Sequence, residues 1–217
     1  MSQLNKKRLM RSQKRLMHDM IKTIKDPIPN IMIHWNESDI YEALIVIIGP
    51  DGPYKNGFYA FRFKFPNDFP FKPPHVDFLT TGNGKVRFNP NLYANGKVCL
   101  SLLGTWSGPQ WTSCQNLNSL SLSIQSLLNE YPIRNEPGYE EEKPNGKRNV
   151  IYNSMISHSN IRVGVILMIT KPPKGFEVFR KDMVKYFLEN YDWYYNFCNE
   201  NVELNYKKFI KSPIYSW

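Results

Sequence analysis

Residues 31–78 alternate β-prone runs with connections too short to hold a helical crossover, which restricts any sheet they form to antiparallel neighbours. The runs are 31–35, 43–48, 58–64 and 75–78, rich in Ile, Val, Phe and Tyr. Gly49-Pro50-Asp51-Gly52-Pro53 is a strong turn between the second and third. Pro66, Pro70, Pro73 and Pro74 break up the approach to the fourth. A four-stranded antiparallel meander is the expected sheet.

Helical spacing brackets this sheet. Over residues 4–24, Leu9, Leu16, Met20 and Ile24 share one face, while Lys6, Lys7, Arg11, Lys14, Arg15 and Lys22 occupy much of the rest. Asp26-Pro27-Ile28-Pro29-Asn30 stops this helix. Residues 80–111 read as loop, punctuated by Gly82, Gly84, Gly96, Gly104 and Gly108. Helical spacing returns at 116–128, and 131–146 is a proline- and charge-rich connector. Residues 149–169 predict a helix, although 161–169 alone also fits a strand. Phe176, Phe179, Met183, Tyr186 and Phe187 mark a further helix, and residues 193–197 start a short one. The fold class is α+β: an N-terminal helix, a meander sheet, a long loop and C-terminal helices. A chain of 217 residues holds one good core with an appendage, with the boundary expected between residues 1–165 and 166–217. The second part is expected to be a helical extension packed on the first.

Composition removes several classes of function. The longest apolar run, 163–169, is too short to span a bilayer, so no membrane partner is expected. Three widely spread cysteines, Cys99, Cys114 and Cys198, do not make a disulfide scaffold, and a reducing compartment, cytoplasm or nucleus, is expected. No histidine–cysteine pair has metal-ligand spacing, so no metal is expected. The net charge of +9 implies an acidic partner, either nucleic acid or an acidic protein surface.

The chemistry gathers at Phe88-Asn89-Pro90-Asn91-Leu92-Tyr93-Ala94-Asn95-Gly96-Lys97-Val98-Cys99-Leu100. A thiol forms thioesters, and a nearby amide can stabilise the oxyanion produced when a thioester is attacked. A cysteine flanked by Val98 and Leu100 is, taken alone, more often a small buried hydrophobe. The order and spacing of its surroundings reverse that preference. The loop contains no histidine to activate the thiol as a protease would need, which favours transfer of a preactivated acyl group over peptide hydrolysis.

Phe69-Pro70-Phe71-Lys72-Pro73-Pro74, Asn89-Pro90-Asn91, Gly96-Lys97-Val98-Cys99-Leu100, Trp111 and Ser123-Ile124-Gln125-Ser126-Leu127-Leu128, in that order, resemble the ubiquitin-conjugating enzyme family. The resemblance covers roughly the first two-thirds of the chain. It implies that an activating enzyme hands ubiquitin to Cys99 as a thioester and that a substrate amine, usually lysine, then takes it. It gives Asn91 the oxyanion, or the loop that holds it, and gives Glu130 the orienting or desolvation of the incoming lysine. It implies no cofactor on this chain, because ATP is used by the activating enzyme. Lys6, Lys7, Arg11, Lys14 and Arg15 would meet the activating enzyme, and Phe71, Trp111 and Thr112 a ubiquitin ligase. Asn89 stands where the family's motif has a structural histidine, and Ser101 where aspartate is common. Asn89-Pro90-Asn91, the extra residues 103–110 and Asn135-Glu136-Pro137-Gly138-Tyr139 resemble the subgroup found in very large conjugating enzymes, some with combined ligase activity. Trp106, in the extra residues, belongs either to the ligase side or to a lid over Cys99.

Three rivals share parts of this pattern. A conjugating enzyme for a ubiquitin-like modifier has the same chemistry with a different partner. An inert variant of the fold would bind ubiquitin or another partner without a thioester, and Cys99 argues against it. A basic nucleic-acid-binding protein is the third, but the aromatics sit at core spacing and no nucleic-acid motif appears.

Overall fold

The computed structural model describes residues 3–201, with the side chains of residues 4–6 outside the description. Helix α1 (Gln3–Lys25) leads into strands β1 (Ile31–Trp35), β2 (Glu42–Ile48), β3 (Phe58–Lys64) and β4 (His75–Phe78). The strands pair antiparallel in the order β1-β2-β3-β4, the meander expected from the short connections. Register is set by alternation: Ile31 faces Ile47, Ile45 faces Phe61, and Phe61 faces Phe78 across the sheet.

Alternation along β2 and β3 gives the sheet two apolar faces, and both are covered. Ala43, Ile45 and Ile47 of β2, with Tyr59, Phe61 and Phe63 of β3, pack toward Leu16 of α1 and toward helices α2 (Leu117–Gln125) and α3 (Lys147–Ser159). Each fully buried phenylalanine here contributes roughly 1.5–3 kcal/mol. Helix α1 is tied down by Trp35, whose Nε1 donates to Thr23 Oγ1 at 3.1 Å. Thr23 thereby takes the inward position near the helix end, and Ile24, expected on the buried face, is 69% exposed instead.

The other face, Leu44, Val46, Ile48, Phe58 and Ala60, is covered by Val165, Met168, Phe176, Phe179, Met183 and Tyr194. These come from the end of a π-helical segment (Asn160–Leu167), α4 (Met168–Thr170), a 3-10 turn (Phe176–Phe179), α5 (Arg180–Glu189) and α6 (Tyr191–Asn201). Residues 161–169 are therefore helical, not strand, and the helix runs through positions 165 and 166 without a break. The π-helical stretch begins where the helix crosses the β2–β3 turn. Asn160 is buried there: Tyr59 Oη donates to its Oδ1 at 2.7 Å, and its Nδ2 donates to Lys55 O at 2.9 Å. A Cβ on Gly57 would lie 1.7 Å from Asn160 Oδ1, so only glycine lets the turn approach this closely.

Candidate active site

Residues 79–116 leave β4 and wrap one end of the sheet with little regular structure, so side-chain hydrogen bonds hold this loop. Asn89 is its internal anchor. Its Nδ2 donates to Tyr54 Oη at 2.9 Å and to Leu127 O at 2.8 Å. Its Oδ1 accepts from Asn91 N at 2.9 Å and Asn135 Nδ2 at 3.3 Å. A fully buried amide with both ends satisfied fixes the turn at Pro90 and aims the next asparagine.

Asn91 and Cys99 are joined twice. The Cys99 N–H donates to Asn91 O at 2.8 Å, and Asn91 Nδ2 donates to Cys99 O at 2.7 Å. The Asn91 Oδ1 is buried without a hydrogen-bond partner, and the second Nδ2 hydrogen has no protein acceptor among the described residues. Beyond Cys99, a 3-10 turn (Ser101–Leu103) leads into the extra residues. Thr105 pins them: its Oγ1 donates to Val98 O at 2.7 Å and accepts from Leu100 N at 2.9 Å.

The sequence reading expects a reachable sulfur, but Cys99 is only 2% exposed. Tyr93, six residues earlier in the same loop, interacts electrostatically with Cys99. Burial pushes the Tyr93 hydroxyl above its ordinary pKa, nearby Arg87 opposes this, and Cys99 and Glu136 add to the rise. Tyr93 is therefore a neutral hydroxyl at physiological pH. Arg87 lies over its ring at 4.2 Å from the centroid, donates to Pro90 O at 2.6 Å, and pairs with Glu136 at 3.1 Å. Arg87 escaped the sequence reading, and Tyr93 and Glu136 entered it only as members of motifs, with no role beside Cys99.

The remaining expected residues fall in separate places. Glu130 is exposed, its backbone stands against Gly52, and its carbonyl accepts from Asn153 Nδ2 at 2.9 Å. No contact among the described residues joins its carboxylate to Cys99 or Asn91, whereas Glu136 stands in the cluster. Lys7, Arg11 and Lys14 are exposed along α1, and Lys6 lies outside the described side chains. Arg15 differs from them because it is engaged within the chain. It donates to Asp19 Oδ1 at 3.0 Å and Ser113 O at 2.9 Å, and lies 5.6 Å from the Phe69 ring centre. Phe71 is 67% exposed, Thr112 is exposed, and Trp111 is half-buried with its Nε1 donating to Pro70 O at 2.7 Å. The two loops carrying these three residues are thus joined. Trp106 is exposed, with no described contact to Cys99.

An antiparallel meander sheet between a leading helix and trailing helices, with a buried thiol and an asparagine joined on a tethered loop, matches a known enzyme architecture. The family described as ubiquitin-conjugating enzyme matches residues 15–159, and the chain belongs to it. Ubiquitin-conjugating enzyme E2 Z of Xenopus tropicalis is 44% identical over 191 residues, covering 88% of this chain and 61% of that protein. The Homo sapiens E2 Z is 44% identical over 192 residues, covering 88% of this chain and 54% of its own length. The Homo sapiens dual E2 ubiquitin-conjugating enzyme/E3 ubiquitin-protein ligase BIRC6 is 38% identical over 157 residues, which is 68% of this chain and 3% of that protein. The chain thus spans between half and two-thirds of the length of these E2 Z relatives.

Proposed function

We propose that Cys99 accepts ubiquitin from an activating enzyme as a thioester and passes it to a substrate amine, usually lysine. The observation that carries this reading is the pair of hydrogen bonds between Asn91 and Cys99, which fixes an amide beside the buried cysteine of the loop. In loading, the Cys99 thiolate attacks the ubiquitin thioester on the activating enzyme, and that enzyme's thiolate leaves. In discharge, an amine attacks the new thioester carbonyl, the C–N bond forms, the C–S bond breaks, the amine gives up a proton, and Cys99 departs as thiolate. The charge that develops on the carbonyl oxygen between these steps needs a donor, and the unused Nδ2 hydrogen of Asn91 supplies one.

The 2% exposed Cys99 must open to solvent for either step, and movement of neighbouring Tyr93, held under Arg87, is the opening we infer. Glu130 is the residue expected to orient the amine, and Glu136, whose carboxylate pairs with Arg87, is a second candidate for that role. Exposed Lys7, Arg11 and Lys14 suit an acidic surface on the activating enzyme, and exposed Phe71 and Thr112 beside Trp111 suit a ligase. Incubation with activating enzyme, ATP and ubiquitin, followed by non-reducing gels, tests the reading. A reductant-labile adduct is expected. An adduct with a ubiquitin-like modifier but never with ubiquitin would transfer the reading to that modifier.

A further inference from the structure

A cleft of about 320 Å³ opens between the start of the Cys99 loop, the 3-10 turn (Pro132–Asn135) with its following residues, and one face of α3. Its volume falls within the range of ligand pockets. Ile133, Met155 and Ile156 form an apolar floor, and Lys85, Arg87 and Arg148 stand among the lining residues. Glu136 is the single carboxylate in that lining, and it is already paired with Arg87. Glu141 and Glu142 line an adjoining hollow that shares Tyr139 with this cleft.

The cations of this cleft are under-used. Lys85 and Arg148 are exposed and form no ion pair among the described residues. The Arg148 guanidinium lies over the Tyr139 ring, 5.2 Å from its centre, which presents its planar edge for carboxylate recognition. The buried Nε–H of Arg87 has no hydrogen-bond partner. Arg87 also lies over Tyr93, so the cleft adjoins the cover of the thiol.

A lysine approaching Cys99 past Lys85 and Arg148, neither of them in an ion pair among the described residues, is repelled unless it brings negative charge with it. We propose, on the basis of the conjugating function above, that this cleft selects acceptor proteins by a segment near the target lysine that combines a large apolar side chain with acidic residues. The apolar side chain sits on the Ile133, Met155 and Ile156 floor, and the carboxylates meet Arg148 and Lys85. Lysines flanked by basic residues are disfavoured.

Two fluorescent peptides with a single lysine test this, one flanked by phenylalanine and two glutamates, the other by phenylalanine and two arginines. Enzyme already charged at Cys99 discharges onto the acidic peptide roughly tenfold faster, about the value of one charge-assisted hydrogen bond. R148E and K85E, both on exposed residues outside the catalytic cluster, bring the two rates close together while leaving discharge onto free lysine unchanged. Fluorescence anisotropy with uncharged protein shows the same order of affinities. Equal binding of the two peptides by the unsubstituted protein, or a preference that survives both substitutions, overturns the proposal. Phenylpropionate binding as tightly as the acidic peptide also overturns it, by making the cleft a small-molecule site. A protein that never charges refutes the conjugating function, and the anisotropy then still decides whether the cleft recognises the peptide.

Discussion

Replacing Asn91 by alanine separates two things this side chain does. It removes the 2.7 Å donor to the buried Cys99 carbonyl. Taking a partner from a buried polar group costs about 1–3 kcal/mol. A protein of this size loses about 2–4 °C in melting temperature per kcal/mol, so the expected fall is roughly 2–12 °C. It also removes the proposed oxyanion donor, whose loss slows reactions of this kind by about 10²–10³. A loosened loop alone would slow discharge too, so Thr105→Val is the necessary companion. That variant cuts the bonds to Val98 O and from Leu100 N on either side of Cys99, and the hydroxyl it removes is already committed to those backbone groups. The assay is single-turnover discharge of precharged enzyme onto free lysine, read beside the melting temperature. Asn91→Ala should still load, melt lower, and discharge at least about 10²-fold more slowly, while Thr105→Val melts lower and discharges nearly normally. Equal slowing in the two variants would refute the oxyanion role and leave Asn91 as a loop tether. Normal discharge by Asn91→Ala would remove it from the chemistry.

Cysteine labelling should be uneven: exposed Cys114 and Cys198 alkylate fast and buried Cys99 slowly, as mass spectrometry of the modified peptides will show. Arg87→Ala should speed alkylation of Cys99 by roughly 2- to 30-fold, the value of one cation–π contact, and an unchanged rate would mean Tyr93 is held by something else. Arg15→Ala should destabilise the fold by about 3 kcal/mol in urea titration, because it leaves the buried Asp19 carboxylate with only His18, 3.6 Å away. Lys14→Ala, on an exposed residue, should stay within about 0.5 kcal/mol and instead weaken loading by the activating enzyme. The His158 pKa is lowered from 6.5, first by burial and then by Arg162. As pH falls below 6.5 the unfolded chain takes the proton first, so stability present at neutral pH is lost on acidification, and melting curves of His158→Gln should fall less steeply over that range.

Most of the fold could be read from the chain because it rests on local rules. Strands 31–35, 58–64 and 75–78 carry β-branched or aromatic residues between turn residues, and they form with those bounds. The residues that escaped were decided by contacts far apart in sequence. Ile24 has the spacing for burial, but Thr23 claims the inward position through Trp35. Arg15 looks like one more cation on a basic face until the loop at residue 113 comes within reach. The helix expected over residues 149–169 does form, and the sheet face it covers removes the strand alternative for 161–169. At the site, the motif picked out Cys99 and Asn91 because they lie in one short loop. The cover over the sulfur depends on Arg87, Tyr93 and Glu136 meeting across up to 49 residues, which no local pattern encodes. Glu130 and Glu136 lie six residues apart and differ in where the backbone delivers them, the one against Gly52 and the other beside Arg87.

The account stands or falls on which atom carries the modifier. Loading reactions with activating enzyme, ATP and ubiquitin should give unsubstituted protein and Cys114→Ser a reductant-labile adduct, give Cys99→Ser a reductant-stable oxyester, and map the attachment to residue 99 by mass spectrometry. An adduct that persists as a thioester in Cys99→Ser, or no adduct under conditions that load a control enzyme with ubiquitin or its relatives, would contradict it.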